Sequence, residues 1–421
     1  MQAVRKIAAF AHRHVWQAIP RGTRRQALVR LSSTLAPRLG SAPSASEPII
    51  VAGFLTAATG LGAWARHSLE ALRQSGRRVL GIDLTQAFRQ GASRIDFAFE
   101  DGRHHVGPGC LLVHVNAPLM PLALWRIGSR VVADKLVVGC WAWELPVAPD
   151  EWRAGLPFVH RILVPSTFTR DAVLAIDPGC PVGVTPLPVI PPESMTAGEA
   201  SAILKREAGA PFTGLVVFNM ASGFSRKNPL AAVNAFRLAF PVPGEARLVV
   251  KLLNAETHTA GRDQLRDIAR ATPNVVLDAR TLSQRQLWHL YRSADVVLSL
   301  HRSEGFGLVI AEAMLAGRPV LATNWSGNVD FLSEETGVPI PYRLVPAIDP
   351  QGEYHHPTSS WAEADIVTAA AQLLRLRADP AWRDRLGQAA RAEAERRFSL
   401  TRYAQRLAQN IGLDARPLTG A

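Results

Sequence analysis

The sequence predicts two α/β domains of the doubly wound, Rossmann-like kind, facing each other across a cleft. Three observations carry this. A chain of 421 residues is too long for one ordinary core. Short β-branched runs alternate with helical stretches over most of its length, as in parallel sheets covered on both faces. The alternation is broken once, at Thr185-Pro-Leu-Pro-Val-Ile-Pro-Pro, which reads as an interdomain linker. With 48% hydrophobic and 19% charged residues, a coiled coil, a collagen-like repeat and a wholly disordered chain are excluded. Three cysteines, Cys110, Cys140 and Cys180, cannot pair completely and lack metal-ligand spacing. They point to a reducing compartment.

Residues 1–46 carry eight cations and no acid, so they hold 8 of the net charge of +12. From Glu47 onward the balance is only +4, ordinary for a body of that size, and nucleic acid is not an expected partner. Within the tract, Val4, Ile7, Ala8, Ala11, Val15 and Ile19 recur at helical spacing until Pro20. Thr23 suits the cap of a second helix carrying Ala27, Leu28, Leu31 and Leu35. A basic amphipathic arm of this kind fits an anionic membrane surface; a solvated arm and an organellar transit peptide are the other readings. No later run reaches the roughly 18 uncharged apolar residues that a spanning helix needs. The expectation is a cytoplasmic protein, peripheral at the inner face of a membrane.

After the linker SAPSASEP, residues 47–190 form the first domain, with strands expected at Ile49–Gly53, Arg78–Ile82, Leu111–Val115, Leu136–Trp141 and Arg161–Pro165. A helix over Ala63–Ser75 puts Trp64, His67, Ser68 and Leu72 on one face. Residues 191–385 form the second domain. Its strands are expected at Leu215–Met220, Leu248–Leu253, Val275–Leu277, Val296–Leu300 and Pro319–Ala322, with helices from about Asn228, Leu265, Gln284 and Leu308. Residues 386–421 read as a helical segment packing back on the first domain. Loops at the carboxyl ends of both sheets then point into the cleft, where a nucleotide-type ligand is the default.

The densest chemistry lies in the second domain. A buried strand from Val296 runs into a loop with Glu304, Gly305 and Gly307, then into a helix ending near Gly317. Glycines there let the backbone approach a ligand, and the first-turn amides, from Phe306 and Leu308 to Val309, attract phosphate. Glu304 and Glu312 are spaced to reach the two ends of a sugar nucleotide. Ser225-Arg226-Lys227-Asn228-Pro229 follows the first strand of the same domain, and two cations before a helix can neutralise a departing diphosphate. In the first domain, Thr59-Gly60-Leu61-Gly62 forms a glycine turn between strand and helix. Trp141-Ala-Trp143-Glu144, just past a strand end, has the makings of a sugar platform, with rings stacking on the pyranose and a carboxylate accepting hydroxyls; a core role for Trp141 or Trp143 is the other reading.

The segment from Tyr291 to Asn328 resembles the Glu-x7-Glu region of family-4 glycosyltransferases, retaining enzymes of the GT-B architecture, in their Arg-Lys-Asn-Pro, Trp-Ala-Trp-Glu branch. The resemblance implies that Glu304 contacts the donor sugar, that Glu312 contacts the ribose and that Lys227 binds the diphosphate. The usual Gly-Arg pair six residues earlier is missing, since Ala221 stands there, so Arg226 takes over its part. The base is expected against Asp278-Ala-Arg280-Thr281-Leu-Ser, with Ser326, Gly327 and Asn328 lining the same cleft. Gly60 and Gly62 would approach donor phosphates or acceptor. A His that many members carry near the Trp141 loop is absent; His114, with Asn116, is the nearest alternative, and either a contact or a buried structural role fits it. No Asp-x-Asp motif occurs, which favours transfer without a metal. The implied activity is transfer of a mannose-like or glucose-like hexose, with retention, from a nucleoside diphosphate sugar to a glycan or polyprenyl-linked acceptor, with no cofactor beyond that donor. The rivals are an epimerase or inverting transferase on the same architecture, and a non-catalytic membrane- or nucleic-acid-binding protein.

Overall fold

The computed structural model describes residues 21–88, 94–192, 210–352, 354 and 358–414, with side chains from residue 27 onward. The expected helix over Val4–Ile19 lies outside the described residues. The first sheet is wholly parallel: β1 (Ile49–Gly53), β2 (Val79–Asp83), β3 (Gly109–Val113), β4 (Lys135–Cys140), β5 (Arg161–Val164) and β6 (Val182–Val184) lie in the order β2-β1-β3-β4-β5-β6. The second is parallel too: β7 (Phe212–Asn219), β8 (Ala246–Leu253), β9 (Val275–Asp278), β10 (Val296–Ser299), β11 (Val320–Thr323) and β12 (Val338–Ile340), in the order β12-β11-β10-β7-β8-β9. An antiparallel pair, β13 (Tyr342–Pro346) and β14 (Ser360–Ala364), follows. All residues of β1, β3 and β4 are buried, because helices cover both faces.

In each sheet the chain runs outward from its first strand and then restarts on the other side of it. The order therefore reverses between β1 and β3, and again between β7 and β10. Doubly wound sheets hold ligands at such switch points, beyond the strands' carboxyl ends. In the second domain these ends carry residues 220–227 and 300–307. In the first they carry residues 54–62 and 114–116.

The helices that matter for the site are α1 (Arg21–Leu35), α2 (Gly60–Gln74), α3 (Met120–Ile127), α4 (Thr167–Leu174), α5 (Phe224–Lys227), α6 (Pro229–Ala239), α7 (Thr259–Ala271), α8 (Gln284–Ser293) and α9 (Leu308–Leu315). Three more, α10 (Ile366–Ala378), α11 (Pro380–Phe398) and α12 (Leu400–Ile411), end the chain. Ser399 caps α12 by accepting from the Arg402 amide, and its apolar face crosses to α2 of the first domain. There Trp64 Nε1 donates to Tyr403 Oη at 2.8 Å, and Ser68 Oγ lies 2.6 Å from the same oxygen. Asn410 Nδ2 donates to Val184 O and Thr185 Oγ1. Burying Tyr403, Leu407 and Ile411 contributes about 1.5–3 kcal/mol each. This helix ties the two domains together.

Two expectations shift. Thr23 lies inside α1 rather than capping it; the stripe of Leu28, Leu31 and Leu35 is exposed, and Ser32 and Ala36 face the protein. The third strand starts at Gly109 and ends at Val113, which leaves His114 and Val115 beyond it.

Candidate active site

The loop from β10 to α9 carries Glu304 against the switch point. Its shape is fixed from behind: the Glu304 amide donates to Ser326 Oγ at 2.8 Å, and the Gly327 amide donates to Glu304 O at 2.8 Å. A Cβ on Gly327 would stand 2.4 Å from Gly305 O, so only glycine fits. Ser326 holds a positive φ of 74° to make this turn, a conformation kept only where surroundings impose it. Ser326 and Gly327 thus brace the loop. Asn328, expected to line the cleft, and His301, which the sequence reading does not single out, complete this brace. The buried His301 has Nε2 3.0 Å from Asn328 Oδ1, and Asn328 Nδ2 donates to Thr323 O. A His just past a strand end was the available signal.

Gly307 opens α9 in a left-handed conformation, and Gly317, also left-handed, closes it: its amide donates to Met314 O and the following Arg318 amide to Ala313 O. The amides of Leu308 and Val309 start the first turn, where helix geometry leaves donors for an anion. Phe306 contributes only its backbone, since its ring packs on Phe331 and Phe398.

Arg226 and Lys227 come from the other side of the switch point, at the end of α5. Asn228 follows in the left-handed region, and Pro229 opens α6. Lys227 Nζ lies 2.5 Å from Glu304 Oε1, and Arg226 reaches Glu304 Oε2 at 3.2 Å. Burial pushes the Glu304 carboxyl up, but the two cations outweigh it and hold its pKa near about 2. Burial drives Lys227 down, and only part of that is returned by Glu304. Arg226 is 3% exposed and also donates to Ser303 O and Ser222 O, with its guanidinium over the Tyr354 ring. That corrects the expectation of an open phosphate-binding arginine. Arg226 pins the Glu304 loop, and Lys227 is the cation at its face. Between Lys227, Glu304, Leu300 and Val309 the cavity is only ≈ 10 Å³.

Glu312 sits within α9 in a different setting. Tyr291 Oη donates to its Oε2 at 2.8 Å, and burial raises its carboxyl to about 7 against the pull of Tyr291 and Lys227. Near neutrality Glu304 is therefore ionised, while Glu312 is at the midpoint of its titration. At the end of β9, Arg280 grips Asp278 through Nε and Nη2, and buried Lys251 donates to the same carboxylate. A cavity of ≈ 230 Å³ beside them is lined by Arg280, Leu277 and Leu290; Thr281 lies exposed next to it.

The first domain meets this loop directly. Ser166 Oγ, the cap of α4, lies 2.5 Å from Gly305 O, and Thr169 Oγ1 donates to Gly305 O and Trp143 O. Thr167 N donates to Asp330 Oδ2 at 2.7 Å, and Ser303 Oγ donates to Glu144 O. A Cβ on Gly305 would meet Trp143 O at 2.9 Å, so its glycine sets how closely the domains approach. Glu144 is half-buried and adds negative charge beside Arg226 and Lys227. The tryptophans do not form a platform. Trp141 is 0% and Trp143 9% exposed, both packed edge-on to Trp152 in the core. A strand exit reads the same in sequence whether its rings turn inward or outward.

His114 is fully buried, edge-on to Trp64, with neither ring nitrogen bonded among the described residues; burial lowers it to about 3. Asn116 Oδ1 accepts from Ala142 N and holds the β4 exit. Gly60 and Gly62 belong to the first turn of α2, where Thr59 Oγ1 accepts from Gly62 N, rather than to an open loop. A Cβ on Gly62 would lie 2.6 Å from two carbonyl oxygens, so its role is close helix–strand packing.

Two facing parallel α/β domains, with this charged cluster at the second switch point, define a GT-B glycosyltransferase architecture. Residues 172–407 match the family described as Family 4 Glycosyltransferase in conflict systems. The chain belongs to that family. The D-inositol 3-phosphate glycosyltransferase of Acidothermus cellulolyticus is 30% identical over 239 residues, 53% of this chain and 51% of the relative. The chain spans about half the length of the curated relatives it matches. Sucrose-phosphate synthase from Thermosynechococcus elongatus is similar in fold, with a TM-score of 0.60 at 16% identity over 86% of this chain and 98% of that one. Anabaena HepE, solved with UDP and glucose, gives 0.59 at 14% identity over 87% and 99%. At such identities the likeness concerns the fold alone.

Proposed function

We propose that this chain transfers a hexose from a nucleoside diphosphate sugar, with retention of configuration and without a metal ion, to a glycan or polyprenyl-linked acceptor. The observation that carries the proposal is the buried Lys227–Glu304–Arg226 cluster at the switch point between β7 and β10. On donor binding, Lys227 exchanges Glu304 for the diphosphate oxygens, assisted by the first-turn amides of α9. Glu304, released as a carboxylate, accepts sugar hydroxyls. Glu312 takes the ribose hydroxyls, and the base lies in the cavity beside Arg280 and Thr281. The bond from the anomeric carbon to the diphosphate breaks while the acceptor oxygen bonds to the same face. The acceptor's proton passes to the leaving diphosphate oxygen.

The first domain holds the acceptor, with Glu144 the acid nearest the cluster. Supporting metal-free transfer, the sequence lacks an Asp-x-Asp pair, and Lys227 with the helix amides meets the leaving charge. Among the described residues no helix is long and apolar enough to cross a membrane. Peripheral attachment on the cytoplasmic side, through the basic arm, completes the proposal. Incubation with a panel of nucleoside diphosphate sugars and soluble glycan acceptors, followed by NMR of the anomeric proton, tests it. A retained product in excess EDTA is expected. An inverted product, donor turnover without acceptor, or activity restored only by Mg²⁺ would overturn it.

A further inference from the structure

On the outer side of the first domain, α1 carries an apolar stripe that packs on none of the described residues. Leu28, Leu31 and Leu35 are 36%, 57% and 49% exposed, and their i, i+3, i+7 spacing places them within about 60° of one another on the helix. The neighbouring flank, with Ser32 and Ala36, is the one that docks. The helix lies against α3, whose last turn exposes Trp125 and sets the Arg126 guanidinium over that ring at 4.7 Å. Arg126 in turn lines a cavity of ≈ 390 Å³ beside β2, together with Arg94, Arg103 and Gln86.

The charge in that cavity is unbalanced. Its lone acid, Asp83, already accepts from the hydroxyls and amides of Thr56 and Thr85. Arg103 has a loose pair with Asp101 at 3.6 Å, both half-exposed. Arg94 and Arg126 form no ion pair among the described residues. Guanidinium forks match phosphate oxygens, and three around one space suit a phosphate ester. In sequence, α1 lies within the acid-free tract of residues 1–46, which carries eight cations.

We propose that this face, formed by α1, the end of α3 and the cavity beside β2, docks on an anionic phospholipid bilayer. The leucines and Trp125 enter the acyl boundary, and a lipid phosphate sits among Arg94, Arg103 and Arg126. An exposed apolar stripe beside clustered cations fits a bilayer, which offers both environments at the matching depth; a polynucleotide offers only the charge. The inference rests on the peripheral placement proposed above, and not on the transferase chemistry.

Sedimentation of the full chain with vesicles of phosphatidylcholine, alone or with phosphatidylglycerol, tests it. Vesicles of equal charge made with fatty acid in place of phosphatidylglycerol separate a phosphate seat from diffuse attraction. Wild type should bind phosphatidylglycerol vesicles and bind fatty-acid vesicles more weakly. The triple variant Arg94→Gln/Arg103→Gln/Arg126→Gln should lose roughly 100-fold in affinity at low salt. Leu31→Gln/Leu35→Gln, which leaves the charge unchanged, should lose about tenfold. All these side chains face solvent, so unchanged melting temperatures verify the fold. Wild-type binding by both variants would overturn this docking face while leaving attachment by residues 1–20 in place. No binding by wild type overturns both. Binding of soluble glycerol phosphate without any vesicle binding would make the cavity a site for a free phosphate ester and end the bilayer proposal.

Discussion

The two switch points are built alike and furnished oppositely. Between β7 and β10 the chain sets Glu304 2.5 Å from Lys227 and 3.2 Å from Arg226. Between β1 and β3 it buries Trp64 and His114, the imidazole without a hydrogen bond among the described residues, while Arg66 and Asp83 are held on the loop after β1 by Leu55 O, Ala57 O and Thr56. Burying ions is costly unless each finds partners, so the second crevice is held by a network that a bound anion can re-partner. The first crevice has no such reservoir. On the proposed function, the diphosphate donor takes the charged one and the hydroxyl-bearing acceptor the other.

Glu304→Gln attacks this contrast hardest. It removes the carboxylate proposed to hold the sugar and leaves Lys227 and Arg226 facing each other, so turnover should fall roughly 10²–10³-fold. Circular dichroism should show the fold retained. Transfer at wild-type rate with a verified donor would erase the distinction between the crevices.

Lys227→Ala comes next. Loss of a charge-assisted contact in a sheltered site should weaken nucleoside diphosphate binding by about 1.5–3 kcal/mol, read by calorimetry. Arg226→Ala should instead lower the melting temperature, because its guanidinium pins Ser303 and Ser222. Equal binding losses without destabilisation would return Arg226 to the phosphate.

The acids of the motif should respond to pH with opposite sign. Glu304, held at about 2 against an ordinary 4.5, contributes stability above pH 4.5 that is lost as pH falls toward 2. Glu312, raised to about 7, is favoured in its protonated form, so it costs stability as pH rises from 4.5 to 7, on the order of 3 kcal/mol above that. Glu312→Gln should therefore stabilise at pH 8 relative to pH 5, whereas Glu304→Gln should destabilise at both. If ionised Glu312 takes the ribose, affinity for an intact nucleoside diphosphate sugar should rise about tenfold from pH 6 to pH 8. The free diphosphate is unsuitable, because its terminal phosphate titrates in the same range. A flat profile for wild type would remove Glu312 from the ribose.

The alternation of strands, the restart after the Pro-rich passage and the Glu304–Glu312 segment were legible because each combines periodicity with residue chemistry. What escaped was direction and partnership. The β13–β14 pair exposes Tyr342 and Leu344 and follows β12 after a single residue, so no turn signal announced it. Trp141 and Trp143 turn inward because Trp152, in a following 3₁₀ turn, supplies the ring they pack on. Arg226 and Lys227 are adjacent in sequence, yet one is a pin and the other faces Glu304. The α1 leucines have helical spacing in either orientation, and only the docking of Ser32 and Ala36 shows which side is free.

The smallest expected effect sharpens the neutral crevice. His114→Leu removes a buried imidazole with no hydrogen bond, held near about 3 and therefore uncharged at working pH. Replacing an unsatisfied polar group by an apolar one of similar size should change stability by no more than about 1 kcal/mol, and in the stabilising direction. Gly53, whose added Cβ would lie 3.0 Å from His114 Cβ, shows how tightly the site is packed, so leucine must keep the edge-on seat against Trp64. Turnover should stay within about threefold of wild type, since a neutral, enclosed ring neither donates charge nor takes a proton at pH 7. A thermal melt and a transfer assay on the same preparation decide it. A hundredfold fall in turnover at unchanged melting temperature would mean that the first crevice opens His114 to the acceptor, and that the two switch points differ in resting state rather than in chemistry.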